Sequence, residues 1–521
     1  MLAWRRMPGL PGASSPPRYN NVPRPVLTCW LLAGVLITAP FLVAALLPPP
    51  GRAFVGTFHW IDDFYNYVSF VQQAEDGHFL FRNKLRLEPH VPVLANLEWW
   101  TVGLLSRLCG RRPFLAYRLL ALALQGALLL TADRVFRRAG LSPGARLGAL
   151  ALVATGGGLG GLLFEFTARP VFRCADLSIG VFPFFEALAN PHWLAGTWLL
   201  LETLLALDGA LSPRKAWRAV ALGTVLGLVR PYDLVLAGLV HLLTVPLSAP
   251  PRMWGRLLLP LLGFLPVALY NYWVFFVDPT FSTYADTAYE MPPSSDFLFA
   301  LGPMGLAALS SLRKAPGSGE PPSLRARLWI WVLVVMALIV VRPVSFTQQF
   351  VVGAGLPLLL LAGLGFSRLR PGATAALAVL SCSTAIVAVR VVSRPDPSWH
   401  VPAERLGAAR ALRAHCRPGD LVLAPPDVGL YTIGLTACHA FVSHAWAPGH
   451  KGRDAAARTF YGEMSPAERR AWLERMGVTF LVLPGDPGEA APSWLGEEGR
   501  YAQVARRASP SGELTLYARR R

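Results

Sequence analysis

Up to about residue 392 the chain alternates long apolar runs with short polar connections, the pattern of a bundle of membrane-spanning helices. The first run, residues 26–47, follows a leader carrying Arg5, Arg6, Arg18 and Arg24 and ends at Pro48, Pro49 and Pro50. It is longer than the roughly 7–15 apolar residues of a signal peptide, so it reads as an uncleaved anchor with residues 1–25 inside. Further runs fall near 113–133, 145–166, 192–208, 216–229, 232–248, 257–277, 297–312, 328–341, 350–366 and 372–392. They predict about eleven transmembrane helices. Several are shorter than the roughly 20 residues of a square crossing, which predicts broken helices or shifted boundaries.

Topology turns on the segment 94–108, which holds Glu98, Trp99, Trp100 and Arg107 within 15 residues. Counted as a span, it would place most arginine clusters outside. Left out, it puts Arg134, Arg137, Arg138 and Arg146 inside, and with them Arg214, Lys215, Arg218, Arg252, Arg256, Arg313, Lys314, Arg325, Arg327, Arg368 and Arg370. The loop 278–296, with four acids and no Lys or Arg, then lies outside. The segment 94–108 therefore reads as an interfacial helix anchored by Trp99 and Trp100. The stretch 313–323 reads as a flexible inner linker, and no internal repeat is evident.

Beyond Val392 charges become frequent and the apolar runs shrink to strand length. Helices over 403–416 and 466–477 alternate with strands over 421–424 and 478–484, followed by strand-like 501–506 and 514–518. This predicts a small α/β domain over 393–521, outside by parity. The domains are thus a leader (1–25), a bundle (26–392) with a first outer loop over 48–112, and the outer domain.

Composition supports this division. Across 521 residues, 53% are hydrophobic and 15% charged, unlike a soluble protein. The net charge of +18 does not mark a nucleic-acid binder, because the arginines gather at the ends of apolar runs. Six cysteines form no CxxC pair. Cys416 and Cys438 are either one bridge in an oxidising compartment or two free thiols, the second being the preferred reading.

Candidate chemistry concentrates in the first outer loop, residues 58–100. Asp62 and Asp63 follow the first span on a short helix running to about Ala74. Adjacent helix positions point about 100° apart, so one carboxylate can face a reaction centre while the other holds it in place.

With Gly77 ending that helix and the acid–Pro–His stretch Glu88, Pro89, His90 leading through Pro92 to the interfacial helix, the chain resembles the GT-C class of membrane glycosyltransferases. Protein O-mannosyltransferases, aminoarabinose transferases and rhizobial lipopolysaccharide-core glycosyltransferases are similar members. The tail 449–484, with its GH turn and later valine-led strand, looks like the last domain of bacterial members. The resemblance implies transfer of a sugar from a polyprenyl-phosphate donor to a glycan, lipid or protein acceptor at the outer face of a bacterial inner membrane; a transporter or flippase of lipid-linked sugars and a non-catalytic envelope assembly protein are the alternative readings. It implies Asp62 or Asp63 as the base and Glu88 and His90 near substrate, and leaves a divalent cation optional. The protein O-mannosyltransferases have His-Pro-Pro where this chain has His90-Val91-Pro92, so substrate type does not carry over.

Such chemistry needs a base for the acceptor hydroxyl and groups to hold the departing phosphate. Arg230 and Arg342 each follow an apolar run and precede a proline, and both are phosphate candidates, with Lys84 and Arg86 behind them. The second outer loop, 167–191, offers Arg169, Asp176 and Glu186, then Asn190-Pro191-His192 at the mouth of the next span. His192 is a candidate phosphate ligand or proton shuttle. Asp233 is placed to pair with Arg230. Tyr232, Tyr284 and Tyr289 are candidates to stack on a sugar, and His439, His444 and His450 are a weak metal signal in the tail.

Overall fold

The computed structural model describes residues 22–167, 174–208, 212–282, 290–312, 322–366, 371–485, 492–496, 500–510 and 512–520. Residues 1–21 of the leader, Arg169, Tyr284, Tyr289, Arg313, Lys314, Arg368, Arg370 and most of the expected linker lie outside them.

Each predicted apolar run is helical. The first forms α1 (Arg24–Leu46). The first loop then supplies a short strand, β1 (Arg52–Phe54), and two helices, α2 (Ile61–Glu75) and α3 (Leu97–Leu108). The next run is α4 (Pro113–Arg138), with Arg137 and Arg138 in its last turn, where cations offset the helix dipole.

The run 145–166 breaks into α5 (Pro143–Thr155) and α6 (Gly160–Thr167). Gly158 lies in the break, and a Cβ there would sit 2.0 Å from the Ala300 carbonyl oxygen, so a neighbouring backbone passes where a side chain would be. The second loop folds as the short helices α7 (Ala175–Ser178) and α8 (Pro183–Ala189). Then come α9 (Pro191–Leu207), α10 (Pro213–Val229) and α11 (Pro231–Ser248). The run 257–277 bends by 45° between α12 (Trp254–Leu262) and α13 (Leu265–Tyr272). The bundle closes with α14 (Ser294–Leu309), α15 (Pro322–Val341), α16 (Gln348–Val351), α17 (Gly355–Gly365) and α18 (Pro371–Val392).

Among the described residues six helical stretches are long and apolar enough to cross a membrane, seven if the bent pair is one crossing. The expected count of about eleven came from runs. Of the others, α9 and α10 have 17 residues each and one run is broken, while α18 has 22. Helix α3, with 12 residues, is about 18 Å long and too short to span. Its Trp99 is not the lipid anchor expected from sequence. The ring is buried and stacked on Tyr67, with centroids 4.3 Å apart and 16° between planes.

The tail is an α/β domain. Strand β2 (His400–Pro402) pairs antiparallel with β1, Phe54 opposite His400, tying the tail to the first loop. There follow α19 (Ala403–Leu412), β3 (Leu421–Leu423), α20 (Pro426–Leu435), β4 (His439–Ala440), α21 (His450–Gly462), α22 (Pro466–Arg475), β5 (Phe480–Gly485), α23 (Ser493–Gly496), β6 (Tyr501–Ser509) and β7 (Gly512–Arg519). The sheet order is β4-β3-β5-β7-β6, parallel through β5 and antiparallel beyond it. Sequence missed α20, which is buried from Val428 to Leu435 and shows no polar face, and α21, whose GH turn reads as loop.

Cys416 and Cys438 form a disulfide, with Cα atoms 5.4 Å apart, correcting the free-thiol reading. The parallel pairing of β3 with β4 brings together two positions that sequence spacing leaves 22 residues apart.

Candidate functional site

Helix α2 places the two aspartates in its first turn, after Trp60, whose φ of 44° turns the chain sharply into the helix. Gly77, at φ 98°, lets the chain leave just past the other end. The aspartates diverge. Asp63 lines a cavity of about 140 Å³ together with Asn66, Tyr67, Trp99, His192 and Tyr232, roofed by Trp446 from the tail. Asp62 lines a separate, larger cavity of about 680 Å³ beside Arg394 and Asp396, near the end of α18.

Asp63 is braced from the opposite end of the chain. His444 Nε2 lies 3.2 Å from Asp63 Oδ1, and the Trp446 backbone N–H donates to His444 Nδ1 over 2.9 Å. A nitrogen that accepts cannot carry a proton, so the ring proton sits on Nε2 and is donated to the carboxylate. Neither His444 nor Trp446 could be matched to Asp63 from sequence, because 381 residues separate the pair and nothing local signals the contact.

A second acid–imidazole pair stands on the cavity's other wall. Helix α9 begins with Pro191 and is capped by the Asn190 side chain, which accepts from the His192 N–H at 3.2 Å and from the Tyr117 hydroxyl at 2.6 Å. His192 Nδ1 faces Glu98 Oε2 at 3.1 Å. Glu98, buried on α3, has its carboxyl pushed up to about 8 by loss of water, partly offset by Arg230. Sequence gave Glu98 no chemical role. Its signal was a carboxylate in a short apolar helix.

Next to the polar cavity lies an apolar one of about 280 Å³, lined by Tyr232, Tyr272, Phe276, Phe346 and Phe350. Pro231, Tyr232 and Phe275 border both, so the two spaces adjoin. Tyr272 and Phe276 are more than half exposed on the outside of the bundle, where an apolar ring favours lipid over water.

The other candidates from sequence lie elsewhere. Arg230 is buried, donating from Nε to Asp233 Oδ2 at 2.9 Å and from Nη2 to the Gln349 carbonyl at 2.7 Å, so it ties the α10–α11 junction to α16. Arg342 donates to the Pro292 carbonyl at 2.7 Å and lines none of the described cavities. Lys84 donates to the carbonyls of Ile433 and Thr436 at 3.2 and 2.6 Å, capping the C-terminus of α20, where a cation is favoured. His90 accepts from the Asn83 N–H and donates to the Glu88 carbonyl, both at 2.9 Å, holding its own loop. The Glu88 side chain is largely exposed and pairs with Arg86 at 3.4 Å.

Asp176 is buried, accepting from the Gly160 N–H at 3.1 Å and the Thr384 hydroxyl at 2.7 Å, and fastens the break between α5 and α6. Glu186, also buried, accepts from Thr197 at 3.0 Å; burial pushes its carboxyl up to about 8. Among the described residues no three His, Cys, Asp or Glu side chains are grouped to hold a metal ion.

No protein-family model matches the sequence, and comparison with curated proteins returns no match. Solved structures do match. ArnT from Cupriavidus metallidurans bound to undecaprenyl phosphate aligns at 14% identity over 95% of this chain and 97% of that one, with a TM-score of 0.53. The mycobacterial arabinofuranosyltransferase AftD aligns at 16% identity over 95% of this chain and 39% of that one, also at 0.53. The Archaeoglobus fulgidus oligosaccharyltransferase in complex with zinc and sulfate aligns at 12% identity over 88% and 67%, at 0.50. At these identities the likeness is one of fold: a multi-pass helical membrane bundle with a C-terminal α/β domain, the architecture of GT-C glycosyltransferases.

Proposed function

We propose that this chain is a membrane glycosyltransferase that moves a sugar from a polyprenyl-phosphate carrier to an acceptor hydroxyl, with inversion, at the outer face of a bacterial inner membrane. The observation that carries this reading is the Asp63 carboxylate, braced by His444, in an aromatic-walled cavity that adjoins an apolar groove. A carrier lipid fits the groove with its tail while its phosphosugar reaches the cavity. Stacked rings such as Tyr67 and Trp99 suit the apolar faces of a sugar. ArnT, which shares the fold, was solved with undecaprenyl phosphate, which supports the lipid assignment.

In the step proposed, Asp63 takes the acceptor's hydroxyl proton while that oxygen forms a bond to the anomeric carbon. The bond from that carbon to the phosphate oxygen breaks, and its electron pair leaves with the phosphate. His444 keeps one carboxylate oxygen hydrogen-bonded and so fixes which way the other points. On this reading residues 1–25 are cytoplasmic, 26–392 form the bundle and 393–521 lie outside.

The test is to incubate membranes containing the protein with labelled polyprenyl-phosphate sugars and follow the label onto an acceptor. The reading requires label movement that Asp63→Asn removes and that His444→Ala reduces while the protein stays folded. Full transfer by Asp63→Asn would overturn the assignment of the base.

A further inference from the structure

The pair on the cavity's other wall contains more information than its distance. Asn96 caps α3 by accepting the Glu98 N–H on Oδ1 at 2.7 Å, so its amide nitrogen is turned the other way. That nitrogen donates to the Val229 carbonyl at 2.8 Å and lies 3.4 Å from His192 Nδ1. Nδ1 therefore faces a donor and acts as an acceptor. Glu98 Oε2 approaches the same Nδ1, and two acceptors cannot share a contact unless one carries a proton. Glu98 Oε1 is buried without a hydrogen-bond partner among the described residues, a position costly for a charged carboxylate and tolerable for a neutral acid. With Nδ1 accepting, the proton of His192 is on Nε2, which has no partner among the described residues, and the ring lines the cavity.

We propose that Glu98 and Asn96 are positioning residues that lock His192 as an Nε2–H donor to the phosphate oxygen of a lipid carrier seated in the cavity. The inference rests on the function proposed above and deepens it by naming the group that holds the leaving phosphate. The location suits an anion, because His192 is in the first turn of the 17-residue α9, at the positive end of the helix dipole.

The arrangement has a pH limit. The groups facing Glu98 are His192 on α9, Arg230 at the head of α11 and Tyr117 on α4. Burial raises the Glu98 carboxyl and Arg230 lowers it, leaving it near 8. Below that pH the acid keeps its proton and donates. Above it, an ionised Glu98 would accept from Nδ1, and the proton would leave Nε2, turning a lone pair toward the phosphate.

The experiment measures binding of undecaprenyl phosphate to the purified full-length protein by tryptophan fluorescence, with undecaprenol as the neutral control. Glu98→Leu and His192→Phe should weaken the phosphate lipid about tenfold and leave undecaprenol unchanged. Glu98→Gln, whose amide also donates to Nδ1, should bind as the wild type does near pH 7. It should also lack the weakening that the wild type shows above about pH 8. Equal binding by Glu98→Leu and wild type, or the same alkaline loss in Glu98→Gln, would overturn the inference and leave the Asp63 reading standing. If the wild type binds neither lipid, the carrier assignment itself fails, and this inference with it.

Discussion

Two stretches of the first loop, one acidic and one basic, are both rich in polar groups and have opposite employment. Residues 61–75 form a helix whose Asp63, Asn66, Tyr67 and Phe70 line the cavity. Residues 79–92 are as polar and hold the motif that drew attention in the sequence, yet Lys84 and His90 bind backbone and Glu88 pairs with Arg86. The difference lies in what the backbone leaves over. A helix satisfies its own N–H and C=O groups and frees its side chains for a substrate. An irregular segment must find partners for its backbone, and its polar side chains are consumed in doing so.

The largest effect expected from this contrast is at Asp63. Asp63→Asn should lower sugar transfer by about 10²–10⁴-fold with no loss of folded protein, read by transfer assay beside a melting curve. Lys84→Met should do the reverse. It leaves the α20 carbonyls unpaired at a cost of about 1–3 kcal/mol, seen as a lower melting temperature, while transfer per folded molecule persists. Asp62→Asn, on the neighbouring cavity, should reduce transfer less than about tenfold, well short of general-base loss. If the Asp62 effect equals that of Asp63, the division of the two carboxylates is wrong. The smallest effect is at the exposed Glu88, where Glu88→Ala should stay within about 0.5 kcal/mol by thermal unfolding and leave transfer unchanged.

Much of the fold was legible because hydrophobic runs and arginine clusters report local free energies of insertion, which need no knowledge of neighbours. Helix α2 was found nearly to the residue, from Asp62 and Asp63 at its start to Gly77 past its end. The number of crossings was less legible, since breaks such as that at Gly158 are imposed by a backbone 142 positions away, at Ala300. Asp63 and His192, both named from sequence, line one cavity, but Asp62 could not be set apart from Asp63 without the helix's rotation. The pairing of Arg230 with Asp233, three residues on, was legible from sequence, whereas Gln349 becomes a partner only when α16 meets the α10–α11 junction. Glu98 went unassigned, and His444 was read only as a weak metal signal, because their partners His192 and Asp63 lie far along the chain. Each acquires meaning from a residue far along the chain.

The bond between Asp63 and His444 spans 381 residues, and Trp446 roofs the cavity beside it. Because a ribosome delivers these residues in order, the apolar groove at Tyr232, Tyr272 and Phe346 is synthesised well before the imidazole that braces Asp63. A chain stalled or clipped ahead of the tail would thus capture carrier without a braced carboxylate to use it. On the proposed function, completion of synthesis is in this sense the first activation step.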